Sequence, residues 1–153
     1  MRGTRRRYLL VVSIRAVAEH GVDYQRFQRT GVNEQLGVEL VSASAERVEL
    51  RLEVGPKVHQ PFGILHGGVS ALLAESAASL GGAMAAGEGH TVVGIELNAN
   101  HVRSMRDGVL TAVATPVKAG RRIQVWAIEL TDDRGRVICV SRCTLAVLEA
   151  EPQ

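Results

Sequence analysis

The chain has 153 residues, enough for one compact domain with a core of its own and no covalent staple. It is 46% hydrophobic and 22% charged, the ordinary composition of a globular protein, and its net charge is only +2. Just 3% is aromatic, and the positive excess sits in Arg2, Arg5, Arg6, Arg7 and Arg15, so the broad basic face and stacking platform of a nucleic-acid binder are both missing.

The arginines run into Tyr8, Leu9, Leu10, Val11 and Val12, which has the outline of a secretory signal. That apolar run is short, Arg15 breaks it, Glu19 follows, and no small-residue cleavage site comes after. A basic extension over residues 1–30 is expected, with one or two short helices where Leu10, Ile14 and Val17 recur at helical spacing. A single domain over 31–150 should follow. No stretch reads as long enough to span a membrane.

Residues 36–43 read as a strand, and 47–54 as a second one. In the latter Val48, Leu50, Leu52 and Val54 alternate with Arg47, Glu49, Arg51 and Glu53, so one face is wet. A loop over 55–65 carries Pro56 and Pro61 and leads to His66-Gly67-Gly68. Residues 69–86 are rich in Ala, Leu and Ser and read as a helix of about five turns, apolar nearly all round and so expected to be buried. Strands are expected over 91–102, 108–117, 122–131 and 136–148, with a hairpin at Asp132-Asp133-Arg134-Gly135. No long helix separates them, so the meander should be antiparallel. The pattern is α+β: a sheet wrapped around one helix. Cys139 and Cys143 lie four apart on one strand, about 13 Å from each other, too far for a disulfide. Neither belongs to a metal-ligand pattern, and a reducing, cytoplasmic setting fits.

Chemistry concentrates at the start of the helix. Gly67 and Gly68 let a ligand approach the backbone, and a helix N-terminus offers free N–H groups that favour developing negative charge. Glu75 is the sole acidic residue between Glu53 and Glu88, set among Ala74, Ser76, Ala77 and Ala78. Such a carboxylate needs a polar cleft, and a reactive role explains one: attack on a carbonyl, or activation of water. Ser79, one turn on, shares its face. Gly67 and Glu75 are eight residues apart, about 12 Å along the axis, so a two-fold pair of subunits is the natural way for one reacting carbonyl to meet both. The plainer readings stay open: a turn and cap for His-Gly-Gly, a structural histidine at His66, a solvated Gln60, a packing role for Ser79, and core for Trp126. His101-Val102-Arg103-Ser104 with nearby Arg106, and the basic turn holding Lys118, Arg121 and Arg122, read either as solvated hairpin ends or as a rim for phosphates.

The run Gln60-Pro61-Phe62-Gly63-Ile64-Leu65-His66-Gly67-Gly68, with Leu73-Ala74-Glu75-Ser76 and Ser79, resembles the signature of hotdog-fold acyl-CoA thioesterases, in the 4-hydroxybenzoyl-CoA thioesterase branch that uses a helix glutamate. The run from Val93 to Ser104, Gln124-Val125-Trp126, and Asp133-Arg134-Gly135-Arg136 are similar to the 1,4-dihydroxy-2-naphthoyl-CoA hydrolases. The likeness spans roughly residues 32–148. It implies a curled antiparallel sheet around a central helix, and subunits paired through a continuous sheet, usually as a dimer of dimers. It implies Glu75 as nucleophile or general base, the Gly67 amide polarising the thioester carbonyl, Gln60 and His66 lining the site, and Ser79 placing water. It further implies acyl-CoA contacts from His101, Val102, Arg103 and Ser104 and from Lys118, Ala119, Gly120, Arg121, Arg122 and Ile123, with no metal and no redox cofactor. The arginine-rich N-terminus has no counterpart in the family, and Leu80-Gly81-Gly82-Ala83-Met84 is expected to reshape the acyl pocket. Hydrolysis of an aromatic acyl-CoA is the leading expectation. The alternatives are an acyl-CoA sensor, which needs no carboxylate at 75, and a dehydratase, whose histidine belongs to a proline-rich motif not found here.

Overall fold

The fold is taken from a computed structural model that describes residues 27 and 29–150. The basic extension and the helices expected before Phe27 lie outside those residues. A short helix α1 (Gly31–Leu36) opens the fold. It stops at Gly37, whose φ of 80° lets the Gly37 and Val38 amides donate back to the Asn33 carbonyl at 3.0 and 2.9 Å. This closing turn corrects the expected strand over 36–43: β1 starts only at Glu39 (Glu39–Ala43). The remaining elements are β2 (Val48–Val54), a 3-10 turn (Pro56–Val58), α2 (Gly67–Ala86), β3 (His90–His101), β4 (Gly108–Ala119), β5 (Ile123–Thr131) and β6 (Val137–Glu149).

The six strands form one antiparallel sheet in the order β1-β2-β4-β5-β6-β3. β2 shows why the alternation matters: Val48, Leu50, Leu52 and Val54 are buried, while Arg47 and Arg51 clasp Glu49 on the wet face at 2.8 and 2.9 Å. The concave side holds α2, whose Leu73, Ala74, Ala77 and Ala78 are fully buried. Two glycines set how close the helix sits. A Cβ on Gly81 would lie 2.5 Å from the Trp126 ring, and one on Gly82 would overlap Leu145. The Gly81-Gly82 pair therefore faces the sheet and sets packing distance, where an effect on the acyl pocket was expected. Trp126 is core; its indole N–H donates to Gln124 Oε1 at 3.0 Å, and the Gln124 amide donates to the Gly82 carbonyl at 3.1 Å. No polar atom of this buried pair is left to pay a desolvation cost unaided.

Two expectations about α2 are corrected. By length and composition it is apolar enough to cross a membrane, contrary to the reading that no stretch is; it spends that apolarity inside the sheet. Nor is it buried all round. β3 ends the sheet, and beyond it Gly68 and Glu75 are exposed and Leu72, Ser76 and Ser79 half-buried. Among the described residues nothing pairs with the outer edge of β3, and its Val93 and Ile95 are 44% and 57% exposed. Cys139 and Cys143 are buried, free thiols on the inner face of β6. At the β5–β6 hairpin the Asp132 carboxylate accepts from the Arg134 and Arg136 amides at 3.0 and 2.8 Å and pairs with the Arg136 guanidinium.

Candidate active site

Two of the cavities beside α2 hold most of the expected site residues around the helix. The first, about 380 Å³, is lined by Gln60, Gly67, Ser70, His101, Val102, Arg103 and Ser104. Its walls are loops, and hydrogen bonds fix them. The Leu65 amide donates to Met105 O at 2.7 Å, His59 Nε2 donates to Arg106 O at 2.7 Å, and the Arg106 guanidinium donates to Gly63 O at 3.2 Å. The Val102 and Arg103 amides both donate to Ile138 O, at 2.9 and 3.3 Å. Arg106, considered above for a phosphate rim, is thus engaged in clamping one loop to another. Arg103 is exposed and has no ion pair among the described residues.

The floor of this cavity is the helix start. His66 is the N-cap, and its Nδ1 accepts from the Gly68 amide at 2.9 Å, so that nitrogen carries no proton. The Gly67 amide is left with no acceptor among the described residues. One free, oriented N–H at the positive end of a 20-residue helix is a site for an oxygen that gains negative charge. The His101 ring rests against Gly67, so close that a Cβ there would lie 2.9 Å from its Nε2.

The second cavity, about 580 Å³, lies further along α2. Glu75 and Ser79 line it with Gly68, Ser76, Leu72, Leu97 and three residues before the sheet, Phe27, Val32 and Asn33. The Glu75 carboxylate has no hydrogen-bond or ion-pair partner among the described residues. Its exposure corrects the expectation of a buried acid. What sets it apart is isolation among apolar walls beside an open strand edge. Behind it, burial pushes the Cys143 thiol up to about 11, with the negative fields of Glu75 and Glu96 adding to the rise.

The third group, Lys118, Ala119, Gly120, Arg121, Arg122 and Ile123, joins neither cavity. Ile123 pairs with Ala146, and Ala146 with Val93, whereas His101 pairs with Cys139 at the other end of β3. Eight strand residues separate Val93 from His101, about 26 Å. One chain therefore holds the two basic segments at opposite ends of its sheet.

Sequence reasoning missed Asn33, whose Oδ1 accepts from Ser76 Oγ at 3.2 Å and which walls the Glu75 cavity. Ser70, buried in the floor of the Gly67 cavity, was missed as well. The three-residue spacing from Gly67 to Ser70 was a usable signal, whereas nothing local ties Asn33 to α2.

A curled antiparallel sheet around one long helix, with a free amide at the helix start and a lone carboxylate two turns on, defines a hotdog-fold hydrolase. Comparison with known proteins names the family. The model of the thioesterase superfamily matches residues 62–139. A 1,4-dihydroxy-2-naphthoyl-CoA hydrolase of Listeria monocytogenes is 48% identical over 117 residues, covering 76% of this chain and 95% of the relative. Its Escherichia coli namesake is 47% identical over 103 residues, 67% of this chain and 76% of its own length. A solved thioesterase structure from Haemophilus influenzae superposes with a TM-score of 0.79 at 42% identity, covering 82% of this chain and 88% of the other. The chain belongs to the thioesterase superfamily and is a thioester hydrolase.

Proposed function

We propose that the chain hydrolyses an aromatic acyl-CoA, 1,4-dihydroxy-2-naphthoyl-CoA being the leading candidate, at a site shared by two copies of the chain. The observation that carries this reading is the division of labour on α2: the unsatisfied Gly67 amide and the unpaired Glu75 carboxylate stand in separate cavities, about 12 Å apart along the axis. A second copy is what brings them to one carbonyl. The bare edge of β3 invites antiparallel pairing with its own twin, since an open edge with exposed Val93 and Ile95 otherwise invites aggregation. Pairing near the middle of β3 carries the 118–123 hairpin of the second copy towards the His101 end of the first, so the two basic segments would meet around one CoA. Two such dimers back to back would make a tetramer.

In this reading the Gly67 amide holds the thioester oxygen as it becomes an oxyanion, with Gln60 beside it and His66 keeping the helix start in place. Glu75 of the second copy then acts in one of two ways. Its carboxylate attacks the carbonyl carbon, the C–S bond breaks to release CoA thiolate, and water hydrolyses the mixed anhydride. Otherwise it takes a proton from a water held by Ser79, and that water attacks directly. Either route turns thioester and water into acid and CoA thiol. Phe27, Val32, Leu72 and Leu97 offer apolar walls to a flat acyl group, and His101, Arg103 and the 118–123 hairpin offer charge to CoA phosphates. Two buried free thiols suit a reducing compartment such as the cytoplasm.

The test is thiol release across a panel of aromatic and aliphatic acyl-CoAs, with Glu75→Ala beside the parent. Aromatic substrates should give the higher kcat/KM, and Glu75→Ala should lower kcat about 10³-fold with an unchanged melting curve. Equal turnover by the variant would refute the role of Glu75.

A further inference from the structure

Gly94 stands where a strand would ordinarily carry a branched side chain. Its neighbours are Val92, Val93 and Ile95, and glycine in a strand interior weakens it. Its φ is not among the positive ones, so backbone conformation does not require glycine here. Space does. A Cβ built on Gly94 overlaps Glu75 Oε1 and would lie 3.4 Å from Cδ and 3.8 Å from Cγ; its three nearest atoms all belong to Glu75.

The register explains why this gap faces the helix. Along the inner face of β3, Val92, Leu97 and Ala99 pack on the core and the His101 ring meets Gly67. Between them the pairing with β6 skips Ile95, a bulge between Gly94 and Glu96. The bulge keeps both Gly94 and Leu97 inward although they are three apart, and it leaves one bare position on that face, opposite Glu75. No polar partner among the described residues holds the carboxylate.

We propose that Gly94 is the positioning residue for Glu75: the missing side chain is the slot in which the carboxylate lies, and the adjoining bulge aims that slot at the helix. This rests on Glu75 being the reactive carboxylate. A methyl group at 94 meets the Glu75 side chain before any other atom.

The experiment is a cycle of Gly94→Ala, Glu75→Ala and the double variant, read by steady-state kinetics and thermal melts. Gly94→Ala should lower kcat about 100-fold, as a misplaced reacting group does, with KM moving less than about twofold. In the Glu75→Ala background the same change should have no further effect on the residual rate, and any loss of Tm caused by Gly94→Ala should disappear, because the clashing side chain is gone. Full kcat in Gly94→Ala overturns the proposal, and so does an equal loss of rate in both backgrounds. Unfolding by Gly94→Ala in both backgrounds overturns it as well. Full turnover by Glu75→Ala alone defeats the underlying reading, a result distinct from any of these.

Discussion

The two cavities beside α2 are held in different ways. Around Gly67, backbone and side-chain hydrogen bonds tie the 55–65 loop to 105–106, and the Val102 and Arg103 amides to Ile138, so this half is held within one chain. Around Glu75, among the described residues, no polar group touches the carboxylate and no element lies beyond β3 in the sheet. The first half is held by bonds; on the reading proposed above, the second is held by shape and completed by a second copy. Preorganised donors gain most in a dry site, and the open edge is what a second copy would close to dry it.

The sharpest way to break this comparison is to wreck one half in each of two chains. Gly67→Pro removes the free amide at a position whose backbone accepts proline, since Gly67 is the first helical residue and His66 is already extended at φ −72° and ψ 127°, and its Cβ pushes the adjoining His101 ring aside. Alone, this variant and Glu75→Ala should each be nearly inactive. Refolded together at equal amounts, half the dimers are mixed and each keeps one intact site, so about a quarter of the parental rate should return. No recovery on mixing would show that the halves work within a single chain.

A smaller effect is expected from Arg103, a cation with no ion pair among the described residues, at the mouth of the Gly67 half. Losing a charge-assisted contact to a phosphate should raise KM about tenfold in Arg103→Ala and change kcat little. Steady-state kinetics with CoA thioesters of one acyl group checks it, and an unchanged KM would make Arg103 a bystander.

Much of this was legible in the chain. The period-two alternation of 47–54, the Asp132–Gly135 hairpin and the apolar helix behind His-Gly-Gly are local signals, and β2, the β5–β6 turn and α2 follow them. The separation of Gly67 from Glu75 is also local, because helical rise fixes it. The exposure of Glu75 was not legible, because it depends on β3 lying at the sheet edge, and strand order is a long-range outcome. The segments 101–104 and 118–123 look like one basic rim in sequence, yet register alone sets them at opposite ends of β3. Asn33 and Gly94 were missed for the same reason: each matters only through what the fold sets against it.

The smallest expected effect separates the halves by pH. Asp132 braces the Gly67 half from below, since its turn leads directly into Ile138, on which the Val102 and Arg103 amides hang. Burial alone would raise its pKa, but the Arg136 side chain, the Arg136 and Arg134 amides and the Arg136 charge outweigh that and hold it below the ordinary 3.8. A lowered folded pKa means the contribution to stability is complete above the unfolded value and drains away as the pH falls through the folded one. Asp132→Ala should therefore melt below the parent at about pH 7, and the gap should close as the pH drops under the ordinary aspartate value. The KM for CoA thioesters should rise in the same variant, because the loop carrying Arg103 loosens, while Glu75, held by shape on the far side of α2, should keep its kcat. A gap in Tm that persists unchanged into acid would mean that the carboxylate contributes only packing, and the rigidity of that half would then rest on the loop clamps alone.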